Sequence, residues 1–157
     1  MVMKILFVCT GNTCRSPLAE AIARKVAIER GLSDLDVASA GTNAWEGAPA
    51  SDGALLVGME HGLDLSMHRA QLLSRELVAA ANVVLAMGPH HLERVEALGG
   101  TNAYTLVNHA SHGTSDRAIS DPVGAELAVY RATYDELDRE IRRSLDRLTA
   151  DRPADGK

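Results

Sequence analysis

The chain reads as one α/β domain, a parallel sheet with helices on both faces, and three observations predict this. Short apolar runs alternate with segments of helical period along the chain, the pattern of strand–helix–strand units. The runs Ile5 to Val8 and Asn82 to Met87 are continuous rather than alternating, as in strands covered on both sides. The length, 157 residues, suits a single domain that buries about two-thirds of its unfolded surface. No repeat, low-complexity segment or second domain interrupts it.

The elements follow in order. Met3 to Val8 predicts a central strand. Ser16 offers an N-cap and Pro17 fits the first helical position. Leu18, Ile22 and Val26 recur every fourth residue, which carries a helix to about Gly31, a natural C-terminal stop. Leu35 to Ala40 is a second strand, and Thr42 to Ala50 is turn-like. Asp52 to His61 reads as a helix stopped by Gly62, Ser66 to Arg69 as a loop, and Ser74 to Ala81 as a short helix. Asn82 to Met87 is the third strand, Pro89 to Leu98 a helix ended by Gly99-Gly100, and Ala103 to Val107 the fourth strand. Asn108 to Ser120 is polar and predicts the longest loop. Pro122 predicts the start of the last helix, with an inner face of Leu127, Tyr130, Tyr134, Leu137, Ile141, Leu145 and Leu148. Asp135 with Arg139, and Asp138 with Arg142, are expected as outer i,i+4 pairs. The domain is expected over residues 1–150, with 151–157 as a frayed tail.

Composition excludes several classes. Hydrophobic residues are 46% and charged residues 24%, ordinary for a globular protein. A net charge of −5 argues against a nucleic-acid binder, which would carry a basic stripe. No apolar stretch is long enough to span a bilayer, and the run after Lys4 is too short for a signal peptide. The two cysteines, Cys9 and Cys14, share one short loop and cannot staple distant parts of the chain, so reduced thiols in the cytoplasm are expected.

The chemistry concentrates in Cys9-Thr10-Gly11-Asn12-Thr13-Cys14-Arg15-Ser16-Pro17. A strand ends at a cysteine, a short loop follows, and a helix begins. In that geometry successive backbone N–H groups converge on one point and bind an anion. The amides from Thr10 to Arg15 are expected to hold the oxygens of a phosphoryl group, with Arg15 adding a bidentate fork. The helix N-terminus and Arg15 both favour thiolate over thiol at Cys9. Ser16 can donate its hydroxyl to the sulfur, helping it ionise and later leave phosphorus. Attack by a thiolate on a bound phosphoryl group is the reaction this pairing suits. Such a reaction needs a proton for the departing group and then an activated water, and one carboxylic acid can serve both steps. Asp121 is the candidate, because it precedes Pro122 in the long polar loop, although Ser-Asp-Pro is equally a standard helix opening.

These residues, with Asp121-Pro122 before a final amphipathic helix, resemble the low-molecular-weight protein tyrosine phosphatases. The likeness extends to Ser39-Ala-Gly-Thr42, Trp45 and His68-Arg-Ala70, and so covers nearly the whole domain. It implies a flavodoxin-like three-layer fold on a four-stranded parallel sheet. It implies Cys9 as nucleophile, Arg15 as phosphate clamp, Asp121 as general acid, and Asn12, Ser16, Ser39 and His68 as a network bracing the loop. It also implies no metal and no cofactor. Cys14 resembles the second loop cysteine of the family, which would trap an oxidised Cys9 as a reversible disulfide; read from the residues alone it is equally a small apolar filler.

The loop resembles still more closely the bacterial protein arginine phosphatases, a subgroup with threonine where Thr13 stands. A phosphoguanidinium brings N–H donors to the pocket wall, and a hydroxyl can accept one where an aliphatic side chain cannot. Val123 departs from the family, which usually places an aromatic residue after Asp-Pro; Trp45 is the alternative apolar wall. The reading is therefore a cytoplasmic phosphatase of phosphorylated proteins or peptides, inhibited by inorganic phosphate and similar oxyanions, with phosphoarginine favoured over phosphotyrosine. Arsenate reductase fits less well, because that relay uses further cysteines. A zinc site on Cys9, Cys14, His109 and His112 is disfavoured because a shared loop with an intervening Gly-Asn suits an anion; a phosphopeptide-binding module would lack the nucleophile or acid, and an FMN carrier would need more aromatic residues than the 3% present. His90-His91 reads as a surface pair early in a helix.

Overall fold

A computed structural model describes residues 2–150, and the segment 151–157 expected to fray lies outside them. The strands are β1 (Met3–Cys9), β2 (Leu35–Gly41), β3 (Val83–Ala86) and β4 (Ala103–Thr105). The helices are α1 (Arg15–Glu29), α2 (Asp52–Glu60), α3 (Arg75–Ala80), α4 (Pro89–Ala97), α5 (Leu106–Ala110) and α6 (Leu127–Ala150). The four strands form one sheet in the order β2-β1-β3-β4, every pair parallel.

The apolar run of β1 is central because both its faces are covered. Ile5 and Phe7 pack with Leu18, Ile22 and Val26 of α1 and with Leu137, Ile141 and Leu145 of α6. Leu6 and Val8 face the opposite layer, with Val78 and Val95 of α3 and α4. The chain leaves β1 for β2 on one side and returns to β3 on the other. The crevice between β1 and β3 is thus a topological switch point, and the loop after Cys9 stands at its mouth.

Four local expectations are corrected. Ser16 is not the N-cap of α1: Cys14 holds that position without a side-chain cap bond, and the Ser16 hydroxyl turns back to Cys9. The fourth strand ends at Thr105 rather than Val107, because the Thr105 hydroxyl accepts the Asn108 N–H and caps a new helix, α5, inside the expected strand end and loop. The last helix starts at Leu127, not Pro122. Between them the Ala125 N–H bonds the Pro122 carbonyl, and Gly124 has φ +72°, so the chain turns before the helix begins. Of the expected outer pairs, Arg142 meets Asp138 at 3.1 Å, whereas Arg139 turns to Glu140.

Candidate active site

Cys9 ends β1 with 2% of its surface exposed, and its Sγ lies 2.9 Å from Ser16 Oγ. The loop 10–14 between them is tied down by the Asn43 and Ser51 N–H groups, which bond the Thr10 and Thr13 carbonyls, and by the side chain of Asn12. Asn12 has φ +56°, a left-handed conformation that asparagine tolerates better than most residues. Its Nδ2 donates to Ser16 Oγ at 2.8 Å and to Ser39 Oγ at 2.9 Å, and its Oδ1 accepts the Gln71 N–H at 3.0 Å. Ser39 in turn donates to Glu20 Oε1 at 2.6 Å. With its oxygen already accepting from Asn12, Ser16 has its hydrogen available for the sulfur. His68 Nε2–H donates to the Asn12 carbonyl at 2.7 Å. The structure thus brings Cys9, Asn12, Ser16, Ser39 and His68 into one bonded chain.

Close packing at the end of β2 completes the cradle. A Cβ at Gly41 would collide with the Thr10 carbonyl and the Asn12 nitrogen, so only glycine lets β2 pass this near. Among the described residues, no protein acceptor is bonded by the N–H groups of Gly11, Asn12, Thr13 or Cys14. Four successive unpaired amides beside a helix N-terminus are an arrangement suited to an anion.

Arg15 begins α1 with only 6% of its surface exposed. One terminal nitrogen donates to the Ile119 carbonyl at 3.1 Å, and the other lies 3.5 Å from Asp121 Oδ2. Asp121 is nearly half exposed, and its Oδ1 accepts the Val123 N–H at 3.1 Å in a local turn. It does not cap a helix, since α6 starts well beyond it. Arginine and carboxylate therefore meet over the loop, and the competing reading of Ser-Asp-Pro as a helix opening fails here.

The remaining candidates take no part in the Asn12 network. Thr13 is half-buried, with its hydroxyl 3.8 Å from Cys14 Sγ, a weak contact at best. Cys14 is buried, its sulfur 3.3 Å from Ser51 Oγ and 3.4 Å from Tyr130 OH, and both cysteines are free thiols. Burial and the contact with Cys14 raise the Tyr130 pKa. The Trp45 side chain (84% exposed) and that of Val123 (65%) face solvent. His109 packs against α6, bonded to Ser144 Oγ, and among the described residues no three His, Cys, Asp or Glu side chains converge as a metal site.

Several participants escape sequence reasoning. Gln71 and Glu20 join the Asn12 network, and neither is among the residues that the sequence singles out. His91, read as surface, is 3% exposed, and its Nε2 lies 2.8 Å from Thr10 Oγ1. The only available signal was its place in the first turn of the helix after β3, which the sheet order brings beside the loop.

Residues 4–154 match the family described as low molecular weight phosphotyrosine protein phosphatase. A protein-arginine-phosphatase of Geobacillus stearothermophilus is 41% identical, covering 94% of this chain and 97% of its own. A probable low molecular weight protein-tyrosine-phosphatase, EpsP of Ralstonia solanacearum, is 42% identical over 96% and 99% of the two chains. Among solved structures, the arginine phosphatase YwlE, as a cysteine-to-serine mutant with a phosphorylated active-site serine, superposes with TM-score 0.89. It is 35% identical, over 96% of this chain and 98% of that one.

Proposed function

Because this chain belongs to the low molecular weight phosphotyrosine protein phosphatase family, we propose that Cys9 is its nucleophile and phosphoarginine in proteins its favoured substrate. The observation that carries the reading is the placement of Cys9 Sγ 2.9 Å from the Ser16 hydroxyl, at the foot of a loop of unpaired amides.

The phosphoryl oxygens are held by the amides of residues 10–15 and by the Arg15 guanidinium, which is already confined near Asp121. The Cys9 thiolate attacks phosphorus and forms an S–P bond as the bond to the substrate's nitrogen or oxygen breaks. Asp121, as the acid, gives that leaving atom its proton. Asp121, now a carboxylate, takes a proton from water, which attacks phosphorus. The S–P bond breaks, inorganic phosphate departs, and the thiolate is restored with the Ser16 hydroxyl bonded to it. Inorganic phosphate and related oxyanions compete for the same amides. No helix among the described residues is long and apolar enough to cross a membrane, and free thiols at Cys9 and Cys14 fit the reducing cytoplasm as the working compartment. A protective Cys9–Cys14 disulfide would require the Cys14 sulfur to leave Ser51 and Tyr130.

The preference for phosphoarginine rests on Thr13, whose hydroxyl is committed to no strong partner and can accept a substrate N–H. Relatives named for each substrate exist at similar identity, so Thr13 and not overall likeness supports the choice. Phosphotyrosine is the second reading, and the exposed Trp45 ring favours it as an apolar wall. The test is side-by-side hydrolysis of phosphoarginine and phosphotyrosine peptides by the wild type and by Thr13→Ile. The wild type is expected to prefer phosphoarginine, and the substitution to shift the ratio toward phosphotyrosine by about tenfold. A wild-type preference for phosphotyrosine, or a ratio that Thr13→Ile leaves unchanged, would discard the substrate choice.

A further inference from the structure

His91 touches the phosphate loop from an element outside the Asn12 network. It lies in the first turn of α4, and its Nε2 meets Thr10 Oγ1 at 2.8 Å. Its Nδ1 is buried and has no hydrogen-bond partner among the described residues. That nitrogen faces the backbone at Gly88, where an added Cβ would lie 3.6 Å from Nδ1 and 3.3 Å from Ala118 Cβ. One edge of the ring thus meets the phosphate loop, and the other lies beside Gly88, which neighbours Ala118 on the segment that leads to Asp121.

The protonation of this ring follows from its surroundings. Burial, then the positive charges of Arg15 and His90, push its pKa down to about 4, against the opposing pull of Asp121. Near neutral pH it carries one ring proton. On Nδ1 that proton would make a buried N–H with no acceptor, the rarer and costlier arrangement, whereas on Nε2 it bonds Thr10. Thr10 then accepts from His91, and its own hydrogen is free to be donated elsewhere. Thr10 directly follows Cys9 and is exposed at the rim of the loop.

We propose that His91 is a positioning residue that sets the Thr10 hydroxyl as a hydrogen-bond donor to a phosphoryl oxygen of the substrate. The inference rests on the phosphatase reading of this loop and divides labour between its two threonines. Thr10, locked as a donor, serves the phosphoryl group that every substrate shares. Thr13, unlocked, serves the leaving group that distinguishes one substrate from another.

The test uses the full chain as wild type, His91→Phe, Thr10→Val and the double variant, titrated calorimetrically with inorganic phosphate, which needs no turnover. Each single variant is expected to weaken phosphate binding about tenfold, and the double variant no further, because both remove the same donor. KM should rise similarly for phosphoarginine and phosphotyrosine peptides, leaving their ratio unchanged. Long-range proton–nitrogen NMR of the wild type should find the His91 proton on Nε2, a signature independent of how well the variants fold. A proton on Nδ1, undiminished phosphate affinity in His91→Phe, or additive losses in the double variant would each overturn the proposal. A wild type that binds phosphate but hydrolyses neither peptide would defeat the phosphatase reading, while the affinities still judge the pair.

Discussion

Asn12 does the work of three residues. One amide supplies two donors and one acceptor to Ser16, Ser39 and Gln71, while its backbone holds a positive φ. Replacing it with alanine removes all three bonds and leaves a Cβ residue in a conformation it disfavours. Asn12→Ala is expected to cost about 2–3 kcal/mol in urea unfolding and to lower kcat/KM; an undiminished midpoint would show that the loop holds itself. The partners of Asn12 were only partly legible in the sequence. Ser16, Ser39 and His68 stood in recognisable motifs, but Glu20 and Gln71 did not: Gln71 joins through its backbone N–H, 59 positions from Asn12, and Glu20 through a carboxylate that helical spacing alone leaves as a surface charge. His91 was missed for a related reason. Helical position says that neighbouring side chains diverge, but not which of the two meets a loop from another strand.

At the scale of elements, the segment before Asp121 is tied to α6 by charges that look solvated in the sequence. Glu136 Oε1 accepts from the Ser120 hydroxyl at 2.8 Å and from its N–H at 3.3 Å, and Glu136 Oε2 pairs with Arg117. Arg117 also reaches the buried Glu140 at 3.4 Å. These bonds hold the chain that carries Asp121 beside Arg15. If Asp121 is the proton donor, Glu136→Ala should imitate a mild Asp121→Ala. Both should slow turnover most for poor leaving groups, Asp121→Ala by roughly a hundredfold or more and Glu136→Ala by less. Equal losses for good and poor leaving groups would assign Asp121 a structural role. The amphipathic face of α6 was plain from its three- and four-residue spacing, whereas its start was not. Pro122 advertises a helix opening, yet the turn closed by Ala125 N–H intervenes. In the same way, the cap at Thr105 converts an apolar strand end into α5, since short apolar runs do not distinguish strand from helix.

For the whole molecule, strand order β2-β1-β3-β4 places the loop after β1 at the switch point, where α1, α4 and the approach to α6 converge. That convergence was readable from strand–helix alternation and from the continuous apolar runs, because central strands covered on both faces leave a strong signal. The buried His91 at this junction also makes stability depend on pH. Its folded-state pKa of about 4 lies below the ordinary 6.5, so the unfolded chain binds the proton more readily. Its contribution is complete above about pH 6.5 and is lost as pH falls through about 4, roughly 3 kcal/mol in all. Urea unfolding of the wild type should therefore weaken more between pH 6.5 and 4 than that of His91→Phe. Parallel losses would show that His91 does not titrate in that window.

On the proposed mechanism the Cys9 sulfur is the nucleophile beneath an oxyanion cradle that persists without it. The direct measurement compares Cys9→Ser with the wild type for peptide turnover and for inorganic phosphate affinity on the same samples. Turnover should fall by roughly a thousandfold or more while phosphate affinity stays within a few fold. A variant that still turns over at a rate near the wild type, or a wild type that binds no phosphate, would rule out Cys9 in that role.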